Sequence, residues 1–469
     1  MALIIAIDLI VVGALVTIAL TKGLERALPF FTFAMIVVPL ESKLNLAGMF
    51  DLTSSRVAII TLGVLFVVVG QNRSEPPEAN RTPLNYLMLL AIGWGFISTL
   101  DSVVPTTSLK TVLSQFLDYY VVYYIFVKTV RNTRTLNKIL FAFIGAMVVC
   151  CILGLLEVYQ GKSVISLFPT ITYRFSTTGG LDEGRVRSTF PITILFGVGL
   201  TLAIPIALYL LAQAKNSIER VYLWIAVVLM FWNNYKTSSR GPWLALILSA
   251  VLLMFAEGPI RKYLLIISLL TVSVLLIRPG VWETLKNTYV ATINPDDPRG
   301  GSYQYRYDLM RAARQTLAKD FKRAVLGFGP ESFSYLGLEG VDSTTGNIVV
   351  FESCDSGLVE IMVDTGYVGL FITALLLIKA ALMSLRNYYK LPKPGRLLCL
   401  VLFINMVAFY FMMMSVMCYG WGQQSYMFWI LVALSVTYPR LIRNETLSKD
   451  EVSTEQVPVE HQLVGVADM

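Results

Sequence analysis

Apolar runs close to the length of a bilayer span recur along almost the whole chain of 469 residues. About 20 apolar residues in helical form cross a hydrocarbon core of roughly 30 Å. In lipid every backbone N–H and C=O must find a partner inside the protein, which leaves helices or closed barrels. Runs of this length read as helices. Only 15% of residues are charged and 55% are apolar, whereas a soluble domain carries about 25% charged residues. The expected fold class is therefore all-α, a polytopic membrane protein with about 12–13 transmembrane helices and one long extracytoplasmic loop.

Spans are expected near 2–20, 27–41, 57–71, 84–100, 111–128, 138–157, 191–212, 218–236, 242–257, 262–278, 357–384, 397–417 and 424–438. The chain divides into N-terminal transmembrane helices (1–180), central helices carrying arginine motifs (181–278), a long loop (279–356), C-terminal helices (357–438) and a polar tail expected to be disordered (439–469). The first 20 residues are apolar but lack a basic start and an Ala-x-Ala site, so they read as a first helix and not a cleaved signal.

The formal charge is +7. In a soluble protein this would suggest nucleic acid; here the Lys and Arg that gather in cytoplasmic loops account for it. The five cysteines have no disulfide or zinc spacing, and the single histidine, His461, lies in the tail. Histidine catalysis and His-rich metal sites are thereby nearly excluded, and no cofactor is expected.

Short loops set the orientation. Residues 128–138 hold Lys128, Arg131, Arg134 and Lys138 without an acid, and 385–396 hold Arg386, Lys390, Lys393 and Arg396. With Arg261 and Lys262 these mark the cytoplasmic side, together with the C-terminal tail. Alternation puts 158–190, 233–241, 279–356 and 418–423 outside. The unexpected residues then collect there. Arg185 and Arg187 precede Phe190-Pro191, and Arg240 lies in Thr237-Ser-Ser-Arg-Gly-Pro242. Arg306 and Arg311 lie in a stretch, about 303–323, whose Tyr307, Met310, Ala313, Leu317 and Phe321 fall on one face of an amphipathic helix. Asp355 and Glu360 open the next apolar run in Asp355-Ser-Gly-Leu-Val-Glu360, followed by Thr365-Gly-Tyr-Val-Gly369.

At these residues the sequence resembles the O-antigen ligase/polymerase superfamily of bacterial glycan enzymes. Arg187-Ser-Thr-Phe-Pro191 is similar to the family's Arg-x-x-Gly-Thr-Phe-x-Asn-Pro, and Thr237-Ser-Ser-Arg240-Gly241 to its Thr-x-Ser-Arg-Gly/Ala. Arg306 opens a helix that leads to Leu326-Gly-Phe-Gly-Pro-Glu-Ser-Phe333. The 355–369 stretch is similar to the family's His-Asn-x-x-Leu-x-x-x-x-x-x-Gly-x-x-Gly. Ligases of the family have a histidine where this chain has Asp355, so the resemblance points to a repeat-unit polymerase more than to a ligase. It implies a GT-C-like enzyme in the bacterial plasma membrane that moves a glycan from undecaprenyl diphosphate to a sugar hydroxyl on the outer face. It also implies a chain-length-regulating co-polymerase and a flippase as partners.

The chemistry can be set out independently. A departing diphosphate needs fixed positive charge, and an arginine fork bonds phosphate oxygens bidentately. The attacking hydroxyl needs an acceptor for its proton, and a carboxylate serves. Arg240, Arg306 and Asp355 are the candidate catalytic residues; Arg187, Arg311, Glu360 and Arg185 are candidates for substrate binding. Each has a plainer reading. Arg240 could snorkel at a helix end, Arg306 could pair with Asp308, and Arg311 could lie on a wet face. Arg185 and Arg187 could balance Asp182 and Glu183, and Asp355 could cap its helix. Gly366 and Gly369 read as close helix packing. A ligase, a transporter or flippase, and a scaffold remain as alternative functions.

Overall fold

A computed structural model of the chain describes residues 2–44, 52–70, 82–168, 185–255, 260–268, 301–343, 346–420 and 422–455, with isolated positions at 283, 286 and 290. It is almost entirely helical. The elements are α1 (Ala2–Lys22), α2 (Leu24–Val37), a short hairpin β1–β2 (Lys43–Leu44, Leu52–Thr53), α3 (Ser54–Gly70), α4 (Asn85–Thr99), α5 (Pro105–Gln115) and α6 (Val122–Thr129). Next come α7 (Thr133–Gln160), α8 (Thr193–Gln213), α9 (Ser217–Lys236) and α10 (Arg240–Met254). The loop layer holds α11 (Gly301–Ala318), α12 (Phe321–Leu326), α13 (Phe333–Leu336) and a hairpin β3–β4 (Glu339–Val341, Ile348–Val350). Finally α14 (Gly357–Lys390), α15 (Lys393–Met413) and α16 (Gln423–Glu455) close the bundle.

Among the described residues six helices are long and apolar enough to cross a membrane: α1, α7, α8, α14, Gly395–Met413 of α15 and Gln423–Glu445 of α16. Shorter apolar helices are Ser54–Val69, Asn85–Thr99 and Arg240–Met254. This is a polytopic all-α membrane protein. The expected span at 262–278 lies outside the described residues beyond 268. A helix apolar all round must be surrounded by protein or lipid. Burial separates the two cases: the spanning window is 94% buried in α8 and 89% buried in α16, but only 22% buried in α1. So α8 and α16 are the pillars, and α1 stands at the rim with Leu9 and Ile10 turned outward.

Contacts between helix termini define two ends. At one end the Asn132 side chain and the Arg131 N–H, just before α7, donate to Glu25 at the start of α2. Thr133 donates to Glu445 of α16, and Arg440 donates to the Val127 carbonyl. The basic loops 128–138 and 385–396 are both here, the second against Ile442 through Gly395. At the other end the Val186 N–H donates to Lys236 at the close of α9, and Gln423 donates to the carbonyls of Thr189 and Val38. These contacts place the 128–138 and 385–396 loops at one end and the 186–189, 236 and 423 positions together at another.

Three expectations need correction. The tail is helical as far as Glu455, because Leu441 and Ile442 still pack against the bundle; disorder from 439 does not hold for 439–455. The amphipathic stretch is two helices. Asp320 accepts from the Lys322 N–H and restarts the chain as α12, which takes Phe321 out of the buried stripe. Leu309, Ala312, Ala313 and Leu317 face inward, while Tyr307 and Phe321 are exposed. These buried residues join Phe333, Phe351, Val359 and Met362 in a small core that seats the loop layer on the start of α14.

The third correction is at Gly366. It is a break in the helix, with φ 70 and ψ −175, as well as the close-packing glycine expected, since a Cβ there would overlap the Val325 carbonyl. The turn Gly327-Phe-Gly-Pro330 docks into this break. The Phe328 and Gly329 N–H groups donate to the Val363 and Asp364 carbonyls at 2.9 Å each. A Cβ on Gly327 would stand 2.5 Å from the Asp364 carbonyl oxygen and the Gly366 nitrogen. Trp94 donates from Nε1 to the Thr365 carbonyl at 2.9 Å. The freed backbone groups of the broken helix are thus met by the loop and by α4. Gly366→Ala is expected to cost about 1–3 kcal/mol from a backbone conformation that only glycine adopts readily, and more from the Cβ meeting the Val325 carbonyl; a thermal midpoint in detergent no lower than wild type would contradict this.

Candidate active site

The arginine-bearing segments meet at the end opposite the basic loops. Arg185 reaches the turn between α9 and α10: its Nε donates to the Thr237 carbonyl at 3.1 Å and its Nη2 to Ser239 Oγ at 3.4 Å and Thr193 Oγ1 at 2.8 Å. That turn delivers Arg240 as the first residue of α10. Arg240 is half-buried. Beside it, Gly241 lies against Ser415, where a Cβ would come within 2.6 Å of the Ser415 Oγ. Ser415 also receives Arg306. The Arg306 Nη2 donates to the Ser415 carbonyl at 3.1 Å, and its Nε to the Asp355 carbonyl at 3.2 Å. A chain of contacts thus runs from Arg185 to the 237–241 turn, from Gly241 to Ser415, and from Ser415 through Arg306 to the entry of α14.

Arg187 anchors the far side. Its backbone N–H and that of Ser188 donate to Glu157 Oε2 at 3.2 and 2.7 Å, and its Nε lies 3.9 Å from Glu157 Oε1. Glu157 comes from the last turn of α7 and is buried. Asp182 and Glu183, the partners expected from sequence, lie outside the described residues. Glu41, in the turn after α2, completes this corner; burial raises its carboxyl above the usual range, and Arg187 and Lys43 oppose that. Burial also lowers the Arg306 guanidinium below the ordinary arginine value, with Asp355 opposing. Arginine keeps its charge through such shifts, so Arg306 is a cation held out of bulk water.

The remaining candidates fall differently. Asp355 is half-buried beside Arg306, with Ser353 Oγ donating to Oδ1 at 3.4 Å. Ser356, not Asp355, occupies the cap position of α14, and it makes no side-chain cap bond. The capping explanation for Asp355 therefore falls. Glu360 lies one turn further along α14. Arg311 is exposed on α11, and no described contact brings it to the cluster. Asp308, proposed as an alternative partner for Arg306, instead accepts from the Ser343 N–H at 3.0 Å and from the Ser343 hydroxyl.

Backbone strain marks the same segments. Among the described residues the non-glycine positions with positive φ are Ser188 (54), Ser238 (48) and Glu331 (66). Such residues cost of order 1–3 kcal/mol and persist where surroundings over-determine them. Ser188 shows how: its hydroxyl donates to the Cys150 carbonyl at 2.6 Å while its N–H is held by Glu157. Glu331 is fixed by Asp364, which accepts from the Glu331 and Ser332 N–H groups at 2.9 and 3.3 Å. Each strained residue sits in one motif of the sequence. Ser415 had no sequence signal, since it acts through its carbonyl. Glu157 did have one, a carboxylate in the last turn of an apolar helix.

Residues 225–374 match a family model described as O-antigen ligase. That match supports membership of the O-antigen ligase/polymerase superfamily. The matched segment contains Arg240, Arg306 and Asp355; Arg185 and Arg187 lie before it and Ser415 after it. No curated protein matches the chain. The match is consistent with a glycosyltransferase-like membrane enzyme.

Glu157 holds two backbone N–H groups and faces a guanidinium. Glu157→Ala is expected to cost about 1–3 kcal/mol through those unmet donors, while Glu157→Gln, which still accepts, retains most of the stability. Thermal midpoints of the two variants that coincide would contradict this role.

Proposed function

We propose that the chain polymerises polysaccharide repeat units on the outer face of the plasma membrane. The donor is a glycan on undecaprenyl diphosphate and the acceptor a sugar hydroxyl of another lipid-linked unit. The observation that carries this reading is the meeting of Arg306 and the Arg240–Gly241 step on one residue, Ser415. Positive-inside bias supports the orientation: Lys128, Arg131, Arg134, Lys138, Arg386, Lys390, Lys393 and Arg396 gather at the opposite end, which becomes cytoplasmic with the C-terminus.

In the reaction, the hydroxyl oxygen attacks the anomeric carbon, the bond from that carbon to the diphosphate oxygen breaks, and the electron pair leaves with the diphosphate. Arg240 and Arg306 meet the charge that develops on the leaving oxygen, Arg187 and Arg185 extend the positive surface, and Asp355 takes the proton from the hydroxyl. A preorganised donor aimed at developing charge contributes most where water is excluded. Half-burial of both catalytic arginines meets that condition. A single displacement inverts the anomeric centre. Arginine supplies the charge in this scheme, so no divalent cation is required.

A ligase reading draws on the description of the matched family. The two are separated in cells: losing a polymerase leaves single repeat units on the acceptor, whereas losing a ligase leaves long chains on the carrier. Arg306→Lys keeps the charge but not the planar fork that spans the Asp355 and Ser415 carbonyls. Arg306→Lys and Arg240→Lys are each expected to lower transfer about 100-fold at normal protein levels. Purified protein given a defined lipid-linked oligosaccharide should turn over undiminished in EDTA. Normal polymer from both lysine variants, or loss of turnover on chelation, would overturn the proposal.

A further inference from the structure

A cavity of about 600 Å³ lies between α3, α4, α5, α14 and α16, within the size range of small-molecule sites at roughly 300–1,000 Å³. None of the site arginines lines it, and of the expected site residues only Glu360 does. Yet it adjoins the arginine end. Met417 lines it, two residues after the Ser415 that receives Arg306. Glu360 follows Asp355 by five positions, a rise of about 7 Å along a helix.

Its chemistry differs from that of the arginine end. The charged lining residues are Lys43, Arg56 and Lys110 against Asp118, Glu331, Glu360 and Asp364. Arg56 lies 3.4 Å from Asp118, and Asp364 is occupied with the 331–332 backbone. With no surplus of positive charge, the cavity is a poor seat for a diphosphate. Its other polar lining is hydroxyl and amide, from Thr53, Thr107, Thr111, Ser114, Gln115 and Ser425, beside an aliphatic wall that includes Leu40, Met88, Ile92 and Leu376. Aromatic rings complete it: Tyr119 stacks on Trp429 at 5.6 Å and meets Tyr419 edge-on at 5.4 Å. Trp429 is 1% exposed, and its buried indole N–H has no hydrogen-bond partner among the described residues. Hydroxyls, amides, carboxylates and rings together suit a ligand with many hydroxyls and apolar ring faces.

We propose that this cavity is the glycan subsite. It holds sugar units next to the reacting bond, while the arginine end holds the diphosphate. The assignment rests on the function proposed above and divides the substrate between two chemically distinct compartments.

The test is a pair of titrations on purified full-length protein in detergent. One uses the repeat-unit oligosaccharide released by mild acid from the carrier lipid of the native host, free of lipid and phosphate. The other uses undecaprenyl diphosphate without sugar. Calorimetry should show the oligosaccharide binding wild type saturably. Thr111→Trp, which fills the cavity, and Gln115→Ala, which removes one group without adding volume, should each weaken it roughly tenfold and leave undecaprenyl diphosphate affinity unchanged. Arg240→Lys should do the reverse. Retained undecaprenyl diphosphate binding shows that each variant is folded, and Gln115→Ala decides if Thr111→Trp is not. No oligosaccharide binding to wild type, or equal affinity in the cavity variants, overturns the subsite. Displacement of the oligosaccharide by sugar-free undecaprenol does so too, since it marks a hydrocarbon groove. If Arg240→Lys leaves undecaprenyl diphosphate binding intact, the arginine reading fails while the cavity result stands.

Discussion

The Arg306 guanidinium joins the loop layer to the membrane bundle. It takes the Asp355 carbonyl, at the entry of α14, and the Ser415 carbonyl, just past the end of α15. Two acceptors on separate segments fix the plane of the fork, and a planar fork is what arginine has and lysine lacks. Around this contact the other parts fall into place. Gly241 packs on the same serine, so Arg240 is delivered next to it; Arg185 secures the turn that carries Arg240. A cation gathered this way is costly to bury without purpose. In the proposed function an anionic substrate group at the membrane surface supplies that purpose.

The loop layer is held from below as well. Gly327 and Gly329 close onto the break in α14, and Arg323 and Lys322 pair with Asp101 in the α4–α5 turn at 3.2 and 2.9 Å. The contact with Lys322 leads the pull that holds the Asp101 carboxyl below its ordinary range, with Arg323 adding to it. Helix α11 can therefore present Arg306 at a fixed height above the bundle. The glycine-rich stretch that reads in sequence as part of a substrate motif is, in this geometry, the clamp that positions the motif.

Much of this was legible in the sequence. Spans of α7, α8, α14 and α15 follow from apolar length, and the basic loops 128–138 and 385–396 share one end. Arg185, Arg187, Arg240, Arg306 and Asp355 stood out as charges in the loops away from the basic ones; contacts link Arg185 to the turn before Arg240, and Arg306 to Asp355 and Ser415, while Arg187 pairs with Glu157. Other features were not legible. The break at Gly366 looks like any Gly-x-x-Gly in a helix until the 327–330 turn is seen against it. The restart at Asp320 rotated the amphipathic face away from a single-helix pattern. Arg311 shares its helix with Arg306, yet five positions turn it to the exposed side. The role of Ser415 is carried by a carbonyl, which every residue has, so no pattern of side chains could reveal it.

The proposed function requires guanidinium groups to converge on a diphosphate at one end of the bundle. The most direct measurement is a cryo-electron microscopy reconstruction of the purified protein with undecaprenyl diphosphate. Density for the diphosphate between Arg240 and Arg306, above Ser415, is the predicted result. Diphosphate density at the opposite end, among Lys128, Arg131 and Arg396, or away from any of the site arginines, would contradict it.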